Sequence, residues 1–187
     1  MRRLLLLVLA LVLAGCGGTR LPTRLVPAKQ IGPVRLQESR SAVERVLGPG
    51  TVVAHYRRFP TTPEVVFVSY PKADLIVRYD RTARGWVSEE VQTSSQRYQT
   101  VTGIGVGSTL SRLEADAIAC GPQIEGQYLC QLRSEGPGRS SGERGFRPSS
   151  TNAKRPVTIL YVKGRRVLRV FLLPKSPAKA SDPDAAD

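Results

Sequence analysis

The chain has 187 residues and a formal net charge of +13, from 28 Lys and Arg against 15 Asp and Glu side chains. It has one histidine, His55, and three cysteines. With a single histidine, no residue spacing indicates either a site of several histidines for a metal ion or a Ser-His-Asp triad.

The first residues have the organisation of a bacterial export signal. Residues 1–3 are a basic start, residues 4–14 are an unbroken apolar run, and Leu13-Ala14-Gly15-Cys16 resembles the lipobox of bacterial lipoproteins. The run is shorter than the roughly 20 residues that span a bilayer. We therefore predict a signal peptide over residues 1–15 and a fatty-acid (palmitate) anchor on Cys16, which places the protein in the cell envelope. An ordinary secretory peptide with an incidental cysteine is the alternative.

The two remaining cysteines are Cys120 and Cys130, and an oxidising compartment favours a disulfide between them. The residues between them include Gly121-Pro122 and Glu125-Gly126, which are typical of turns that bring two short strands together. Two unpaired buried thiols are one alternative. A redox-active pair is another, although the C-x-x-C spacing is absent.

Loss of Arg2 and Arg3 with the signal peptide would leave 26 of the 28 basic side chains against 15 acidic ones. In an exported protein, such a charge favours contact with anionic lipid headgroups or surface polymers over nucleic acid. The basic residues are scattered along the chain, so a solvated, arginine-rich surface is the simpler interpretation.

A degenerate repeat organises the rest of the chain. Residues 31–48, IGPVRLQESRSAVERVLG, return in altered form at residues 101–114, VTGIGVGSTLSRLE. Each copy has an apolar-alternating lead, a hydroxyl residue suited to a helix N-cap (Ser39; Ser108 or Thr109), and a helix of about ten residues. The predicted apolar stripes are Val43, Val46 and Leu47 in the first helix and Leu110, Leu113 and Ala117 in the second. The glycines at 103–107 lack the Gly-Lys-Ser/Thr of a phosphate loop.

Strand-like runs follow each helix. They cover residues 51–58, 64–70, 73–80 and 85–93 in the first half, and 157–162 and 166–172 in the second. Alternation predicts that Leu75, Val77 and Tyr79 face the core. It also predicts that Leu168, Val170 and Leu172 face inward while Val167, Arg169 and Phe171 face outward.

These patterns predict an α+β fold of two related units, each a short helix or pair of helical turns packed on one face of an antiparallel meander. The boundaries are a tether over 16–30, a first repeat over 31–98 and a second over 99–173. The second repeat contains a flexible loop at 134–155, and a disordered tail follows at 174–187.

The lipobox, followed by the copies VRLQESRSAVERVLG and GIGVGSTLSRLE, resembles the tandem domains of the β-lactamase inhibitor protein fold. Each unit is also similar to the small envelope assembly lipoproteins of the BamE (SmpA/OmlA) type. The resemblance covers residues 31 to about 173, and the first copy departs from it by carrying Gln37 where glycine is typical. It implies that helices cover one sheet face and that the other face is free to bind protein, and it offers no catalytic residues to carry over to this chain.

We therefore expect a non-enzymatic, lipid-anchored envelope protein whose exposed sheet face binds another protein, without a metal ion, cofactor or nucleic acid. Aromatic and arginine side chains dominate interface hot spots. The candidates on predicted strands are Tyr56, Arg57, Trp86, Tyr161, Arg169 and Phe171. A binder of anionic envelope glycan or lipid is the alternative, with affinity that falls steeply as salt rises. A hydrolase would require a pocket that joins His55 to a carboxylate and a serine.

Overall fold

A computed structural model describes residues 21–57, 63–116, 118–121, 123–132 and 156–174. The predicted signal peptide, Cys16, Ala117 and the loop at 134–155 lie outside these residues, as does the predicted tail after Pro174.

The described chain is dominated by antiparallel sheet. In chain order the strands are β1 (Leu25–Val26), β2 (Gln30–Ile31), β3 (Val34–Arg35), β4 (Thr51–Tyr56), β5 (Val65–Tyr70), β6 (Leu75–Thr82), β7 (Gly85–Thr93), β8 (Ala119–Cys120), β9 (Gln127–Leu132), β10 (Val157–Lys163) and β11 (Arg166–Leu173), and the helices are α1 (Arg40–Leu47) and α2 (Leu110–Ala115). Strands β4 to β11 form one eight-stranded sheet in the order β4-β5-β6-β7-β11-β10-β9-β8. The fold is mixed α+β, as predicted, with helices of 8 and 6 residues that are shorter than expected.

Strand alternation decides which sheet face is buried. In β6, Leu75, Val77 and Tyr79 are buried, while the residues between them are partly exposed, which confirms the predicted phase. The same alternation places Val66 and Val68 of β5 in the core. One face of the sheet therefore forms the main wall of the core.

The two helices supply the apolar cover for this wall. Val43 and Leu47 of α1 and Leu113 of α2 are buried in the same core cluster. The prediction for Val46 was wrong, because its side chain is 55% exposed. Val46 lies about 80° around the helix from the line between Val43 and Leu47, so it points away from the sheet.

Hydroxyl caps start both helices, as the repeat predicted. The Ser39 side chain accepts a hydrogen bond from the Ala42 amide at 3.2 Å, and the Thr109 side chain accepts one from the Arg112 amide at 3.3 Å. In each case the same amide also donates to the carbonyl of the cap residue at 3.0 Å, so the side-chain bond is a second bond in the first turn. Gly48 ends α1 and donates its amide to the Glu44 carbonyl at 2.8 Å.

The segment before each helix is bonded to a sheet strand. The Gln37 amide donates to the Ser88 carbonyl of β7 at 2.8 Å, and the Ser88 amide donates back to the Glu38 carbonyl at 2.9 Å. In the second half, the Gly107 amide donates to the Val167 carbonyl of β11 at 2.8 Å, and the Val167 amide donates to the Ser108 carbonyl at 2.9 Å. These paired bonds fix where each helix crosses the core.

The predicted tether over residues 16–30 is wrong from residue 21 onward. Strands β1, β2 and β3 form a small antiparallel sheet, and Leu25 is 1% exposed. The Leu25 amide donates to the Gln99 carbonyl, and the Ala28 amide donates to the Thr158 hydroxyl, both at 2.8 Å. Two-residue strands show too little alternation to be recognised in a sequence. The buried Leu25 ties this segment to the core.

A β-bulge changes the phase of β11. Tyr161 lies opposite Arg169 and Val162 lies opposite Val167, so Leu168 is the extra residue of the bulge. The predicted orientations of Val167 and Leu168 were therefore wrong, since Val167 is buried and Leu168 is 44% exposed. Beyond the bulge, Val170 and Leu172 face the core and Arg169 faces solvent, as predicted.

The predicted disulfide between Cys120 and Cys130 is present. The two residues are cross-strand partners in the β8–β9 pair. Reciprocal backbone hydrogen bonds between Ile124 and Gln127, at 3.0 and 2.9 Å, close the tight turn at Glu125-Gly126. None of the helices in the described ranges has both the length and the apolar character to cross a membrane.

Candidate protein-binding face

The sheet has a second face, opposite the core wall, which we call the open face. Because cross-strand partners project from the same side of a sheet, the register defines a row of side chains on this face. From β4 to β8 the row is Thr51, Ser69, Ile76, Gln92, Phe171, Ile159, Gln131 and Ala119. Each of these residues is at least partly exposed. The open face therefore extends across all eight strands.

The centre of the open face is apolar. Ile76 of β6, Phe171 of β11 and Ile159 of β10 share the row that crosses the sheet, and Phe67 of β5 lies in the adjacent row. All four side chains are partly exposed. Gln92 of β7 stands between Ile76 and Phe171. The face thus carries an apolar centre with an amide in its middle.

The charges beside this centre are largely paired. The Arg78 guanidinium donates from Nε and Nη2 to the two carboxylate oxygens of Asp80, at 2.8 and 2.9 Å. Glu90 lies directly opposite Arg78 on β7. Burial raises the pKa of the Glu90 carboxyl, and Asp80 raises it further, while Arg78 acts in the opposite direction. Burial therefore disfavours ionisation of a carboxyl on the open face.

Three of the six predicted interface residues lie together on this face. Tyr161 of β10 is the cross-strand partner of both Arg169 of β11 and Leu129 of β9. Phe171 lies two residues along β11 from Arg169, so it points to the same side. An arginine and two aromatic rings thus adjoin the apolar centre, together with the exposed Leu129.

Tyr56 and Arg57 lie at the far edge of the sheet. Tyr56 ends β4, pairs with Val65, and makes an edge-to-face contact with Phe67 at a ring separation of 6.1 Å. Its side chain is 60% exposed. Four strand spacings separate β4 from β11, about 19 Å. Arg57 is exposed just beyond the strand. These two residues belong to the periphery of the open face rather than to its centre.

Trp86 lies on the other side of the sheet. It pairs with Arg81, two positions from the Tyr79 and Ser88 pair that faces the core. The Arg81 guanidinium stands 5.3 Å from the centre of the Trp86 ring, and the ring packs against the core cluster. Trp86 therefore does not share a face with Tyr161, Arg169 and Phe171.

His55 has a carboxylate partner that the sequence did not reveal. The Nε2 atom of His55 lies 2.7 Å from Oε1 of Glu64, with the two side chains 43% and 33% exposed. Glu64 is nine residues away and precedes β5, so only the β4–β5 pairing brings it close. The His55 ring also makes an edge contact with Trp86 at 6.5 Å. Within the described ranges, no serine hydroxyl is hydrogen-bonded to this pair, which lies at an exposed sheet edge.

Within the described ranges, no group of three or more His, Cys, Asp or Glu side chains is arranged to hold a metal ion. The chain matches no protein-family model, no curated protein and no solved structure. Its functional assignment therefore depends on the geometry of its own surfaces.

Proposed function

We propose that the chain is a non-enzymatic, lipid-anchored protein of the bacterial cell envelope that binds another protein through the open face of its sheet. One observation carries this proposal. In a chain with a net charge of +13, the open face has an apolar centre, and the Arg78 side chain next to that centre is already paired with the Asp80 carboxylate.

The composition of the face supports a protein partner over an anionic polymer. Covering partly exposed side chains such as Phe67, Ile76 and Phe171 removes apolar surface from water, which is the main favourable term in protein association. An anionic polymer would gain little there, since Asp80 neutralises Arg78 and Glu90 adds negative charge. The open face therefore suits a partner with a complementary apolar surface.

The cluster of Tyr161, Arg169 and Phe171 supplies the expected anchors. Tyrosine and arginine are enriched among interface residues that dominate binding energy, because each offers a large contact area with a polar end. Arg169 is exposed and stands beside the apolar centre rather than inside it. This cluster is the part of the face to which we assign most of the affinity.

The proposed anchor is Cys16, exposed as the mature N-terminus once the signal peptide over residues 1–15 is removed. The proposed architecture is a tandem of two related units, residues 31–98 and 99–173, of the BamE and β-lactamase inhibitor protein type. It is supported by the sequence repeat and by the matching bonds before the helices, from Gln37 to β7 and from Gly107 to β11. The strand order also supports it, since the last strand of each half lies at the centre of the sheet.

Affinity capture tests the proposal. The lipidated full-length chain is crosslinked in its native envelope, recovered at low and at high salt, and the bound proteins are identified by mass spectrometry. Arg169→Ala/Phe171→Ala removes two anchors of the open face. Arg45→Ala/Val46→Ala is the matched control, because it removes an exposed arginine and an exposed apolar side chain from α1, whose Val43 and Leu47 pack on the core side of the sheet.

We expect one discrete protein to be retained at high salt by the wild-type and control chains. Loss of two anchors should weaken its capture by about thirtyfold, which corresponds to about 2 kcal/mol. Equal capture by both double variants would reject the assignment of the face. Recovery of wall polymer or lipid alone, lost as salt rises, would favour the anionic-surface alternative.

A further inference from the structure

The described chain begins at one end of the sheet, which we call the entry end. At this end β7 finishes, β6 and β11 begin, and the turns at residues 71–74 and 163–165 are located. Arg24 is bridged to Gln99, and the Leu25 amide is bonded to the Gln99 carbonyl. The neighbouring Tyr98 hydroxyl donates to the Ala73 carbonyl in the turn before β6. The first described residues are thus fixed to the entry end.

Exposed basic side chains surround this point. Arg24, Lys72, Arg165 and Arg166 are all exposed, and Arg166 also donates to the Gly107 carbonyl at 3.2 Å. Asp74 is the acidic residue of the turn before β6, and its carboxylate lies 3.6 Å from the Arg97 guanidinium. The entry end therefore has an excess of positive charge.

The opposite end of the sheet has a more balanced charge. It contains the basic residues Arg81 near the end of β6, Arg84 in the β6–β7 turn and Arg57 just after β4. Acidic residues stand close to that turn, at Glu64 before β5 and at Asp80 near the end of β6. The described part of the molecule is thus electrostatically uneven along the strand direction.

The segment between the proposed anchor and the fold is short. Cys16 and Leu21 are five residues apart, and a fully extended chain of that length spans roughly 18 Å at most. The longer tether predicted from the sequence would have left the orientation of the fold free. Because β1 and β2 are part of the fold, the entry end must instead stay close to a membrane that holds Cys16.

We propose that the entry end rests on the membrane and that Arg24, Lys72, Arg165 and Arg166 contact anionic lipid headgroups. This inference rests on the proposed lipidation of Cys16. Negative surface potential attracts basic side chains that lie within a Debye length, about 8 Å at physiological salt. The strands then run away from the bilayer, and the open face stands upright, where a second envelope protein can reach it from the side.

The single tryptophan of the chain reports on this orientation. Trp86 lies near the start of β7, and the entry end lies beyond Thr93. Seven residues of extended strand place it about 24 Å from that end. Val101 is exposed in the turn after Tyr98, and replacing it leaves the basic side chains of the entry end unchanged. Trp86→Phe/Val101→Trp therefore moves the tryptophan to the entry end.

The test uses lipidated full-length protein in vesicles that contain phosphatidylglycerol with brominated acyl chains, which quench nearby tryptophan. We expect wild-type Trp86 fluorescence to stay within about a tenth of its value in unbrominated vesicles, since the ring is far from the lipid. Fluorescence of Trp86→Phe/Val101→Trp should fall severalfold. Quenching of wild-type Trp86, or no quenching of the relocated tryptophan, would overturn the orientation.

A charge comparison tests the headgroup contact. When Lys72→Gln/Arg165→Gln/Arg166→Gln is added to the relocated-tryptophan chain, at least half of the quenching should be lost. The same loss is expected when the relocated-tryptophan chain without these changes is placed in brominated vesicles of phosphatidylcholine alone. Arg45→Gln/Arg81→Gln/Arg84→Gln removes three exposed arginines elsewhere and should keep the quenching. Equal quenching in all of these preparations would remove the role of the anionic lipid.

The mass of the N-terminal peptide, measured on the same preparation, separates the two proposals. Without lipid on Cys16, this inference fails together with the anchor. With lipid present, failure of the quenching pattern overturns the orientation alone. Capture by the Arg169→Ala/Phe171→Ala variant reports on the open face independently of either result.

Discussion

Gln37 and Gly107 both have a positive φ, 64° and 91°, two residues before their helix caps. Each donates its amide at 2.8 Å to the strand beneath it, Gln37 to Ser88 and Gly107 to Val167. A side chain in this conformation costs roughly 1–2 kcal/mol, whereas glycine adopts it freely. The first helix therefore begins with backbone strain that the second avoids.

Gln37→Gly is expected to raise the free energy of unfolding by about 0.5–1 kcal/mol, because relief of strain exceeds the greater entropy of glycine in the unfolded chain. Gln37→Ala is the control. It keeps the strained backbone but loses the Gln37 side-chain bond to Glu89, which is 2.6 Å long and exposed. Gly107→Ala should destabilise by about 1–2 kcal/mol, and its Cβ would also lie 3.3 Å from Nε2 of Gln96. Urea unfolding measures all three, and a destabilising Gln37→Gly would contradict the strain argument.

The cap of α2 can be tested with a neighbouring hydroxyl as reference. Thr109→Ala removes the side-chain acceptor for the Arg112 amide, which keeps its bond to the Thr109 carbonyl, and should cost about 1 kcal/mol. Ser111→Ala changes an exposed residue inside the same helix, where alanine has the better helix propensity, and should be neutral or slightly stabilising. Thermal unfolding of the two variants under one condition gives the comparison. Equal losses would show that the hydroxyl of Thr109 is not acting as a cap.

Two buried tyrosines form a hydroxyl pair inside the core. The Tyr70 and Tyr79 hydroxyl oxygens are 2.8 Å apart. Tyr79→Phe should cost about 1–3 kcal/mol because it leaves the Tyr70 hydroxyl unpaired. The double variant Tyr70→Phe/Tyr79→Phe should cost less than the sum of the single variants, since it leaves no orphaned group. A double-mutant cycle from urea unfolding measures the coupling, and strict additivity would contradict it.

The same pair predicts how stability depends on alkaline pH. Burial is the largest cause that raises the pKa of both Tyr70 and Tyr79 above the ordinary value of 10.0. The folded chain therefore holds these protons after the unfolded chain has begun to lose them, so stability falls as pH rises above about 10. The double phenylalanine variant should show a shallower fall in unfolding free energy between pH 9 and 11, as about two fewer groups contribute.

Glu90 supplies the corresponding prediction at acidic pH. Burial raises the pKa of its carboxyl, so ionisation is less favourable in the folded chain than in the unfolded one. Glu90→Gln is therefore expected to be more stable than the wild type at neutral pH. The difference should shrink as pH falls and vanish below the unfolded value of about 4.3. Glu89→Gln, on the same strand, is the control, and an equal gain there would show that the burial of Glu90 is not the cause.

Alternation and turn residues predicted most of the main sheet. The bounds of β7 were predicted correctly, because Gly85 follows a turn and polar residues begin after Thr93. The orientation of β6 followed directly from its regular alternation. Hydroxyl residues before apolar stripes predicted both helix starts at Ser39 and Thr109.

Other features depend on contacts between distant residues. The bulge at Leu168 reverses the inward and outward orientations that alternation assigns to Val167 and Leu168, and no residue type near this position indicates a bulge. Trp86 lies on the core side because of the register with Arg81, which sequence pattern does not specify. The pairing of His55 with Glu64 requires the β4–β5 hairpin. For the candidate site, the outward orientation of Arg169 and Phe171 was predicted from alternation, whereas their pairing with Tyr161 and their separation from Tyr56 and Trp86 were not.

The strand order has a consequence for how the molecule folds. Every strand pair in the large sheet joins neighbours in the chain except β7 with β11, whose register comprises Val91 with Leu172, Gln92 with Phe171 and Thr93 with Val170. Pairing β7 with β11 closes the long loop between Thr93 and Val170, which costs more chain entropy than closing a hairpin. We therefore expect the β4–β7 and β8–β11 meanders to form early and the pairing of β7 with β11 to form last. The first strand reinforces it, since residues 25–28 are bonded to both Gln99 and Thr158. Residues 25–28 thus link the two sides of the β7–β11 seam, and their bonds should form only after β7 and β11 have paired.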